Sequence, residues 1–172
     1  MEFQIFTKNT IPDMNRHIIN QISNLSFHVH NKDFVSRCKD DSCICILKHK
    51  GEIVSVGYLD MIKKNVIHPL TRDYILIHSL SVHPDHRGKG LCKVIIKKIQ
   101  KKYPTKHLCL TVCTDEANPN IPGIKCYQRC GFKLIDMCHV DHYDGVNTYM
   151  TYYPKKKTKK TKKTKKTKKT KK

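Results

Sequence analysis

One run of sequence passes from an apolar strand through a glycine turn into a helix, and it constrains the fold more than any other segment. Residues 74–82 (YILIHSLSV) are strongly apolar, as in a buried strand. Gly88 and Gly90 follow in a polar turn, and apolar residues then recur with a helical period over residues 90–102. Glycine lets a ligand approach the backbone closely. The first N–H groups of the helix lack intrahelical partners and lie at the positive end of its dipole, so this turn is suited to phosphate oxygens.

The turn matches neither of two common nucleotide-binding patterns. It lacks the G-x-x-x-x-G-K-[ST] of a P-loop, and Lys93 interrupts a G-x-G-x-x-G pattern. From the residues alone, a strand-to-helix turn that binds nothing is therefore the competing interpretation.

The rest of the chain predicts an α/β fold (an α+β mixed sheet). Strand-like patterns cover residues 1–7, 43–47, 53–61, 74–82, 108–112, 132–138 and 148–153. Helical patterns begin near Asn9 or Thr10 and run to Leu25, and also cover residues 31–39, 90–102 and 121–129. The order β-α-α-β-β-β-α-β-α-β-β predicts a central mixed β-sheet of about six to seven strands flanked by about four helices.

The end of the chain carries most of the positive charge. Residues 155–172 contain 13 Lys, 5 Thr and no apolar residue, so we expect a disordered tail after a folded domain at residues 1–154. The formal net charge of +20 falls to +7 without this tail, because 21 basic and 14 acidic residues remain. Polyanions would contact the tail without sequence preference, since it has no aromatic residue for base stacking.

Cysteine usage and hydropathy indicate a soluble protein of a reducing compartment. The nine cysteines lie mostly in apolar runs, such as residues 43–45, and form no C-x-x-C pair. Residues 1–10 show no basic segment followed by an apolar run, so we expect no secretory signal, and no apolar run approaches the ~20 residues that span a bilayer. The H-x-x-H pairs at residues 83–86 and 139–142 fit solvated loops, so we expect no metal. The expected location is the cytoplasm, with the nucleus left open by the basic tail.

The glycine turn resembles the pyrophosphate-binding motif of the GNAT superfamily of N-acetyltransferases. The similar stretch is residues 82–90 (VHPDHRGKG), in which Arg87 and Gly90 match the motif. Cys92 stands where that family usually has Gly or Ala.

Residues 120–132 (NIPGIKCYQRCGF) resemble a later motif of the same family, in which an Asn precedes a helix that bears a Tyr and ends in Gly-Phe. Asn120 lies seven residues before Tyr127, and Gly123 replaces the more usual Ala. Gly131 is placed as a glycine at the helix C-terminus.

The resemblance implies a GNAT-like fold that binds acetyl-CoA as a co-substrate. Strands 74–82 and 108–112 would splay apart, and the pantetheine arm would lie in the opening. The amine would enter over the first two helices and the hairpin formed by strands 43–47 and 53–61. The backbone N–H groups near residues 88–93 would hold the pyrophosphate, Arg87 would add positive charge, and the Leu80 N–H would polarise the thioester carbonyl. The implied coenzyme-binding residues are Leu80, Ser81, Val82, Arg87, Gly88, Lys89, Gly90, Leu91, Cys92, Lys93, Asn120 and Tyr127.

The resemblance also implies two catalytic residues, Tyr127 and His78. Tyr127 takes the position of the acid that protonates the departing thiolate. His78 is the titratable group in the second half of strand 74–82, and an imidazole, with an ordinary pKa near 6.5, is suited to accept a proton from the amine. A packed tyrosine and a merely hydrogen-bonded histidine are the alternatives for these two residues.

The predicted function is N-acetyl transfer from acetyl-CoA to a primary amine, directly within a ternary complex. Small-molecule amines (an amino-sugar phosphate, a polyamine or an arylalkylamine) and protein amines stay open as acceptors, as do monomer and homodimer. The alternative is a polyanion- or nucleic-acid-binding module with a basic tail and a non-catalytic acyl-CoA-binding fold.

Overall fold

A computed structural model of the 172-residue chain describes residues 1–27, 33–36, 38–64, 71–113, 119–137 and 147–154. The expected disordered tail at 155–172 and the H-x-x-H pair at 139–142 lie outside these ranges. The elements in chain order are β1 (Glu2–Thr7), α1 (Asp13–Phe27), β2 (Cys43–His49), β3 (Glu52–Ile62), β4 (Tyr74–Val82), a 3₁₀ turn (Pro84–His86), α2 (Leu91–Lys102), β5 (His107–Cys113), α3 (Ile121–Arg129), β6 (Lys133–Met137) and β7 (Asn147–Tyr152).

The seven strands form one mixed sheet in the order β1-β2-β3-β4-β5-β7-β6. β4 and β5 are parallel, and the other neighbouring strands are antiparallel. A parallel pair needs a long crossover, which α2 supplies. The predicted mixed α/β sheet is therefore confirmed.

The segment at 31–39, expected to form a second helix, is folded differently in the part that the structure describes. Residues 34–36 form a turn, and the Asp33 side chain accepts the Ser36 N–H at 3.0 Å. The Val35 N–H donates to Asn20 Oδ1 of α1 at 3.1 Å. Side-chain oxygens thus replace the carbonyl acceptors of a helix. The described residues contain three α-helices and the 3₁₀ turn, close to the expected four helices.

Each face of the sheet carries its own apolar core. On one face, buried residues of α2, such as Ile95 and Ile99, pack with Tyr127 of α3 and with β4 and β5. On the other face, Ile19 and Ile22 of α1 pack against β2 and β3. A side chain on β4 therefore faces either α1 or the α2–α3 pair, depending on its position along the strand.

The parallel strands β4 and β5 diverge after four residue pairs. Pairing runs from Tyr74↔His107 to Ile77↔Leu110, whereas β4 continues to Val82. In the described residues no further β4–β5 pair follows, which agrees with the expected splay.

A β-bulge lies at the same level on the other side of β4. Val56 pairs with Ser81 and Tyr58 with His78, so Gly57 alone opposes Ser79 and Leu80. Ser79 has a φ of 50°, in the left-handed region. A Cβ on Gly57 would lie 3.0 Å from both Leu80 Cδ1 and Cys45 Sγ, so the absence of a side chain leaves room for the bulge.

Candidate active site

The glycine turn places the N-terminus of α2 beside the end of β4. The first helical hydrogen bond of α2 runs from the Val94 N–H to the Gly90 carbonyl at 3.2 Å. The N–H groups of residues 91–93 precede that bond, and Gly90 provides no side-chain cap. These groups point out of the helix at its positive end, where an anion is stabilised.

The two glycines of the turn are required by backbone conformation. Gly88 has a φ of 76° and Gly90 a φ of 73°, values that other residues adopt at a cost. A Cβ at either position would meet no atom of the described residues within 4 Å. The space in front of the helix is therefore open to a ligand.

The basic side chains of the turn, Arg87 and Lys89, each donate a hydrogen bond to a nearby backbone carbonyl group. Arg87 Nε donates to the Val82 carbonyl at 3.2 Å, and its second terminal nitrogen lies 3.5 Å from Ser26 Oγ of α1. Lys89 Nζ donates to the Asp85 carbonyl at 2.9 Å. The Arg87 guanidinium thus lies at the end of β4, and direct contact with a pyrophosphate stays a prediction.

The end of β4 contributes backbone and small side chains. Leu80 lies in the bulge and packs against the α2 core. The buried Ser81 donates from Oγ to the Ser79 carbonyl at 3.3 Å, and its own carbonyl accepts from Ser55 Oγ at 2.7 Å. Ser81 and Val82 lie beyond the last β4–β5 pair, at the mouth of the opening.

The first turn of α2 also contacts α3. Leu91 is buried, whereas Lys93 is exposed. Cys92 Sγ lies 2.8 Å from Cys126 Sγ of α3. The Cys92 thiol therefore faces α3, and what this residue offers to an anion is its backbone N–H.

Asn120 begins α3 as its N-cap. Its Oδ1 accepts the Gly123 N–H at 3.0 Å. A Cβ on Gly123 would lie 2.7 Å from Asn120 Nδ2, so the glycine fits the capping side chain closely. Gly131, with a φ of 91°, follows the helix as the sequence predicted.

Tyr127 is buried between α3 and the sheet, with an exposed fraction of 8%. Its ring lies 6.4 Å from the ring of Phe132. Burial raises the pKa of the Tyr127 hydroxyl well above its usual range. The hydroxyl is therefore neutral at physiological pH and keeps a proton to donate.

His78 lies on the opposite face of β4 and meets a carboxylate. Its Nε2 atom is inaccessible to solvent and lies 3.3 Å from Asp60 Oδ2 of β3. This is an ion-pair distance without the alignment of a strong hydrogen bond. The ring stacks on Tyr58, with 5.8 Å between ring centroids, and Tyr58 Oη is 3.0 Å from the buried Ser23 Oγ.

Asp60 is a site residue that the sequence analysis did not identify. Contact with His78 and a hydrogen bond from Ser42 Oγ hold the pKa of its carboxyl below the usual range, against the opposing effect of burial. Its side chain is 15% exposed. The available signal was an acidic residue two positions after Tyr58 in the mostly apolar run of residues 56–62.

The two predicted catalytic residues lie on different faces of the sheet. Tyr127 belongs to the α2–α3 core, whereas His78 contacts Tyr58, which belongs to the α1 core. The opening between β4 and β5 begins next to His78, directly after the Ile77↔Leu110 pair. That both residues act in one cleft therefore stays a prediction that depends on this opening.

The motif H-x-x-H at residues 83–86 has a structural part in the 3₁₀ turn. His83 Nδ1 accepts the Asp85 N–H at 3.3 Å and so caps the turn. Within the described residues, no group of three or more His, Cys, Asp and Glu side chains could hold a metal ion.

No helix among the described residues is long and apolar enough to cross a membrane.

Solved structures with the same fold have low sequence identity to this chain. The ribosomal-protein-S18-alanine N-acetyltransferase from Escherichia coli is 15% identical, with a TM-score of 0.63 over 92% of this chain and 98% of that chain. NAA60 from Arabidopsis thaliana, in complex with a bisubstrate analogue, is 16% identical, with a TM-score of 0.65 over 88% and 99%. An aminoglycoside 6'-N-acetyltransferase complexed with coenzyme A is 12% identical, with a TM-score of 0.67 over 92% and 99%. A search of curated protein sequences finds no significant match.

The family assignment rests on the sequence itself. The family model described as acetyltransferase (GNAT) family matches residues 15–132, which include the glycine turn, β4, β5 and α3. The chain therefore belongs to the GNAT family of acetyltransferases.

Proposed function

We propose that this protein transfers an acetyl group from acetyl-CoA to a primary amine, directly within a ternary complex. The observation that carries the proposal is the uncapped N-terminus of α2, reached through Gly88 and Gly90 and adjacent to the β4–β5 opening. An open, positive helix end suits a pyrophosphate, and a gap between strands suits an extended pantetheine arm. The coenzyme A complex of the aminoglycoside 6'-N-acetyltransferase supports the same ligand class.

The coenzyme would be bound mainly by main-chain groups. The N–H groups of residues 88–93 bind the pyrophosphate, and Leu80, Ser81 and Val82 line the arm along β4. Asn120 fixes the start of α3, which brings Tyr127 to the α2 side of the opening. Arg87 contributes positive charge from the end of β4.

In the proposed reaction the amine nitrogen attacks the thioester carbonyl. A C–N bond forms, the C–S bond breaks, and the amine proton passes to His78, directly or through water. Tyr127, whose buried hydroxyl is neutral at physiological pH, gives its proton to the departing thiolate. The Leu80 N–H stabilises the oxyanion that forms during the attack.

In this scheme Asp60 orients the ring of His78 and stabilises its protonated form. An N–H on His78 Nε2 facing Asp60 leaves Nδ1 as the nitrogen that accepts a proton. The Asp60 carboxylate then stabilises the imidazolium that results. Because Asp60 acts through His78, it is a positioning residue.

The negative charge of Asp60 also favours a cationic acceptor. An amine with a pKa near ~10.4 is mostly an ammonium ion at neutral pH, so it is attracted to a carboxylate before it loses its proton. Small-molecule and protein amines both meet this condition, and the acceptor class stays open between them.

The proposal is tested by incubating the protein with acetyl-CoA and a panel of amines. The acetylated amine should be measured by mass spectrometry, because the nine cysteines of the protein would react with thiol reagents used to detect free coenzyme A. We expect a product that requires protein, acetyl-CoA and one class of amine. Coenzyme binding without product from amino sugars, polyamines, arylalkylamines or peptide amines would contradict the transferase assignment.

A further inference from the structure

Three thiols lie together where the first turn of α2 packs against α3, and they are here called the thiol cluster. Cys92 is the second residue of α2, Cys126 belongs to α3, and Cys130 directly follows that helix. Cys126 Sγ lies 2.8 Å from Cys92 Sγ and also accepts a hydrogen bond from the Cys130 thiol. A disulfide bond is about 2.05 Å long, so the sulfur atoms of Cys92 and Cys126 need only a small approach to form one.

The hydrogen bonds of the thiol cluster end on the sulfur of Cys92. Cys130 donates to Cys126, and Cys126 donates to Cys92. The hydrogen bond from Cys130 lowers the pKa of Cys126, but donation to Cys92 and burial outweigh it and raise that pKa to about 11. Cys126 therefore keeps its proton at neutral pH, and its hydrogen bond stabilises negative charge on the sulfur of Cys92.

Cys92 lies where negative charge is stabilised and where a small molecule can reach it. It belongs to the uncapped first turn of α2, at the positive end of the helix dipole. Lys93 and Lys97 add positive charge beside Cys130. Cys92 is half-buried, whereas Cys130 is 1% exposed. A small oxidant therefore meets Cys92 before it meets Cys130.

We propose that Cys92 and Cys126 form a redox-active pair, which hydrogen peroxide converts to a reversible disulfide. The Cys92 thiolate attacks one oxygen of the peroxide, so that an S–O bond forms, the O–O bond breaks, and the departing oxygen takes a proton and leaves as water. Cys126 then loses its proton and attacks the Cys92 sulfur, so that the S–S bond forms, the S–O bond breaks and a second water leaves. The two thiols supply the two electrons that reduce the peroxide, and a small thiol reduces the disulfide again.

The disulfide would join the glycine turn to the helix that carries Tyr127. The Cys92 N–H is one of the groups that the proposed function assigns to the pyrophosphate, so the coupling to coenzyme rests on that function. Bound pyrophosphate places negative charge at the same helix end, and this disfavours a thiolate on Cys92. Acetyl-CoA should therefore slow formation of the disulfide by about threefold or more.

The sequence allows the three thiols to be mapped separately. Trypsin cleaves after Lys and Arg, so it places Cys92 in peptide 90–93, Cys126 in peptide 126–129 and Cys130 in peptide 130–133. The reduced full chain is treated with an equimolar amount of hydrogen peroxide, free thiols are blocked with N-ethylmaleimide, and the digest is analysed by mass spectrometry without reduction. We expect peptide 90–93 linked to peptide 126–129, and loss of this product after treatment with dithiothreitol.

Two variants test the order of the steps. In Cys126→Ala, oxidation of Cys92 should stop at the sulfenic acid, which dimedone traps on peptide 90–93. In Cys92→Ala, Cys126 should stay reduced at the same dose of peroxide. Cys43→Ala is the matched control, because Cys43 of β2 is likewise half-buried but lies outside the thiol cluster, and it should leave the yield of linked peptides unchanged.

Three results would overturn the redox-active pair. The first is the absence of a link between peptides 90–93 and 126–129 in the folded protein, and the second is a larger yield of peptide 126–129 linked to peptide 130–133. The third is oxidation of Cys126 in Cys92→Ala at the rate seen in the unmodified protein.

The coupling to coenzyme is measured separately, by repeating the reaction with acetyl-CoA at a concentration that calorimetry shows to be saturating. Binding of acetyl-CoA without slower disulfide formation would refute the shared helix end. A protein that forms the disulfide but does not bind acetyl-CoA would contradict the proposed function and confirm the redox-active pair, so the two failures are distinguishable.

Discussion

Asp60→Asn is expected to slow catalysis while leaving coenzyme binding intact. When His78 accepts the amine proton it becomes an imidazolium, 3.3 Å from the Asp60 carboxylate. Two unit charges at that 3.3 Å distance attract by about 1 kcal/mol at the dielectric constant of water and by about 5 kcal/mol at an effective value of 20. His78 is 35% exposed and Asp60 15% exposed, so we take an intermediate value of about 2–3 kcal/mol. Loss of that energy from the transition state lowers kcat by about 30- to 150-fold.

The assay compares kcat, KM for the amine and acetyl-CoA affinity across four proteins. These are the unmodified protein, Asp60→Asn, His78→Gln and the double variant. Because Asp60 acts through His78, the double variant should be no slower than His78→Gln alone. Asp40→Asn is the matched control, since Asp40 is 87% exposed and lies 3.7 Å from Lys8 in a surface pair that contributes little.

Two measurements, protein stability as a function of pH and kcat near neutral pH, distinguish a purely structural role of Asp60 from positioning of His78. Its folded-state pKa is lowered, so it contributes stability that is present above the unfolded value near ~3.9 and is lost as pH falls through the folded value. The stability difference from Asp60→Asn should therefore shrink in acid, whereas the kcat difference should be seen near neutral pH. A folded Asp60→Asn whose kcat lies within about twofold of the unmodified protein would refute the reasoning.

Four further changes have expected outcomes. Gly90→Glu should abolish acetyl-CoA binding in calorimetry, because the carboxylate enters the space that the phosphates would occupy. Gly90→Ala, which adds only backbone strain at the φ of 73°, is its control. Unchanged affinity of a folded Gly90→Glu protein would contradict the assignment of the phosphate-binding turn. Tyr127→Phe should lower kcat by about 10²- to 10⁴-fold with little change in coenzyme affinity, and full activity at neutral pH would exclude Tyr127 as the acid. A chain that ends at Pro154 should fold and keep its turnover of small amines while its affinity for polyanions falls and depends less on salt; loss of the fold would show that the domain boundary is wrong. Gly57→Ala should lower the free energy of unfolding by about 1–3 kcal/mol in denaturant titrations, because its Cβ would lie 3.0 Å from Leu80 Cδ1, and unchanged stability would mean that the bulge has room to adjust.

The features that sequence predicted best are local ones. Gly88 and Gly90 mark the turn because their positive φ is costly for a residue with a side chain, and Gly131 marks the end of α3 for the same reason. The apolar patterns of β4 and α2 follow from burial on both faces of a sheet and on one side of a helix. Strand, turn and helix could therefore be placed within a few residues of their observed positions.

The features that sequence missed depend on contacts between distant segments. Asp60 and His78 meet across β3 and β4 in a register that includes a bulge at Gly57, which no local pattern specifies. The prediction of a helix at 31–39 is wrong for the residues of that segment that the structure describes, because they form a turn that is held partly by Asn20 of α1. Such hydrogen bonds override local helical preference.

The contact between Cys92 and Cys126 also joins segments that are distant in the sequence, and it was not predicted. In sequence, Cys92 stood out only as a residue in place of Gly or Ala. Its thiol lies against α3 because α2 and α3 pack on the same face of the sheet, an arrangement that appears only when the whole chain is folded.

The central claim is that the glycine turn and the β4–β5 opening bind acetyl-CoA through its pyrophosphate. The most direct measurement is a calorimetric titration of the full chain with acetyl-CoA and, separately, with acetyl-pantetheine, which lacks the pyrophosphate. We predict one acetyl-CoA bound per chain and an affinity for acetyl-pantetheine that is weaker by about 100-fold or more, since charge-assisted contacts to the turn are lost. Equal affinity for the two compounds, or no binding of acetyl-CoA, would contradict the account.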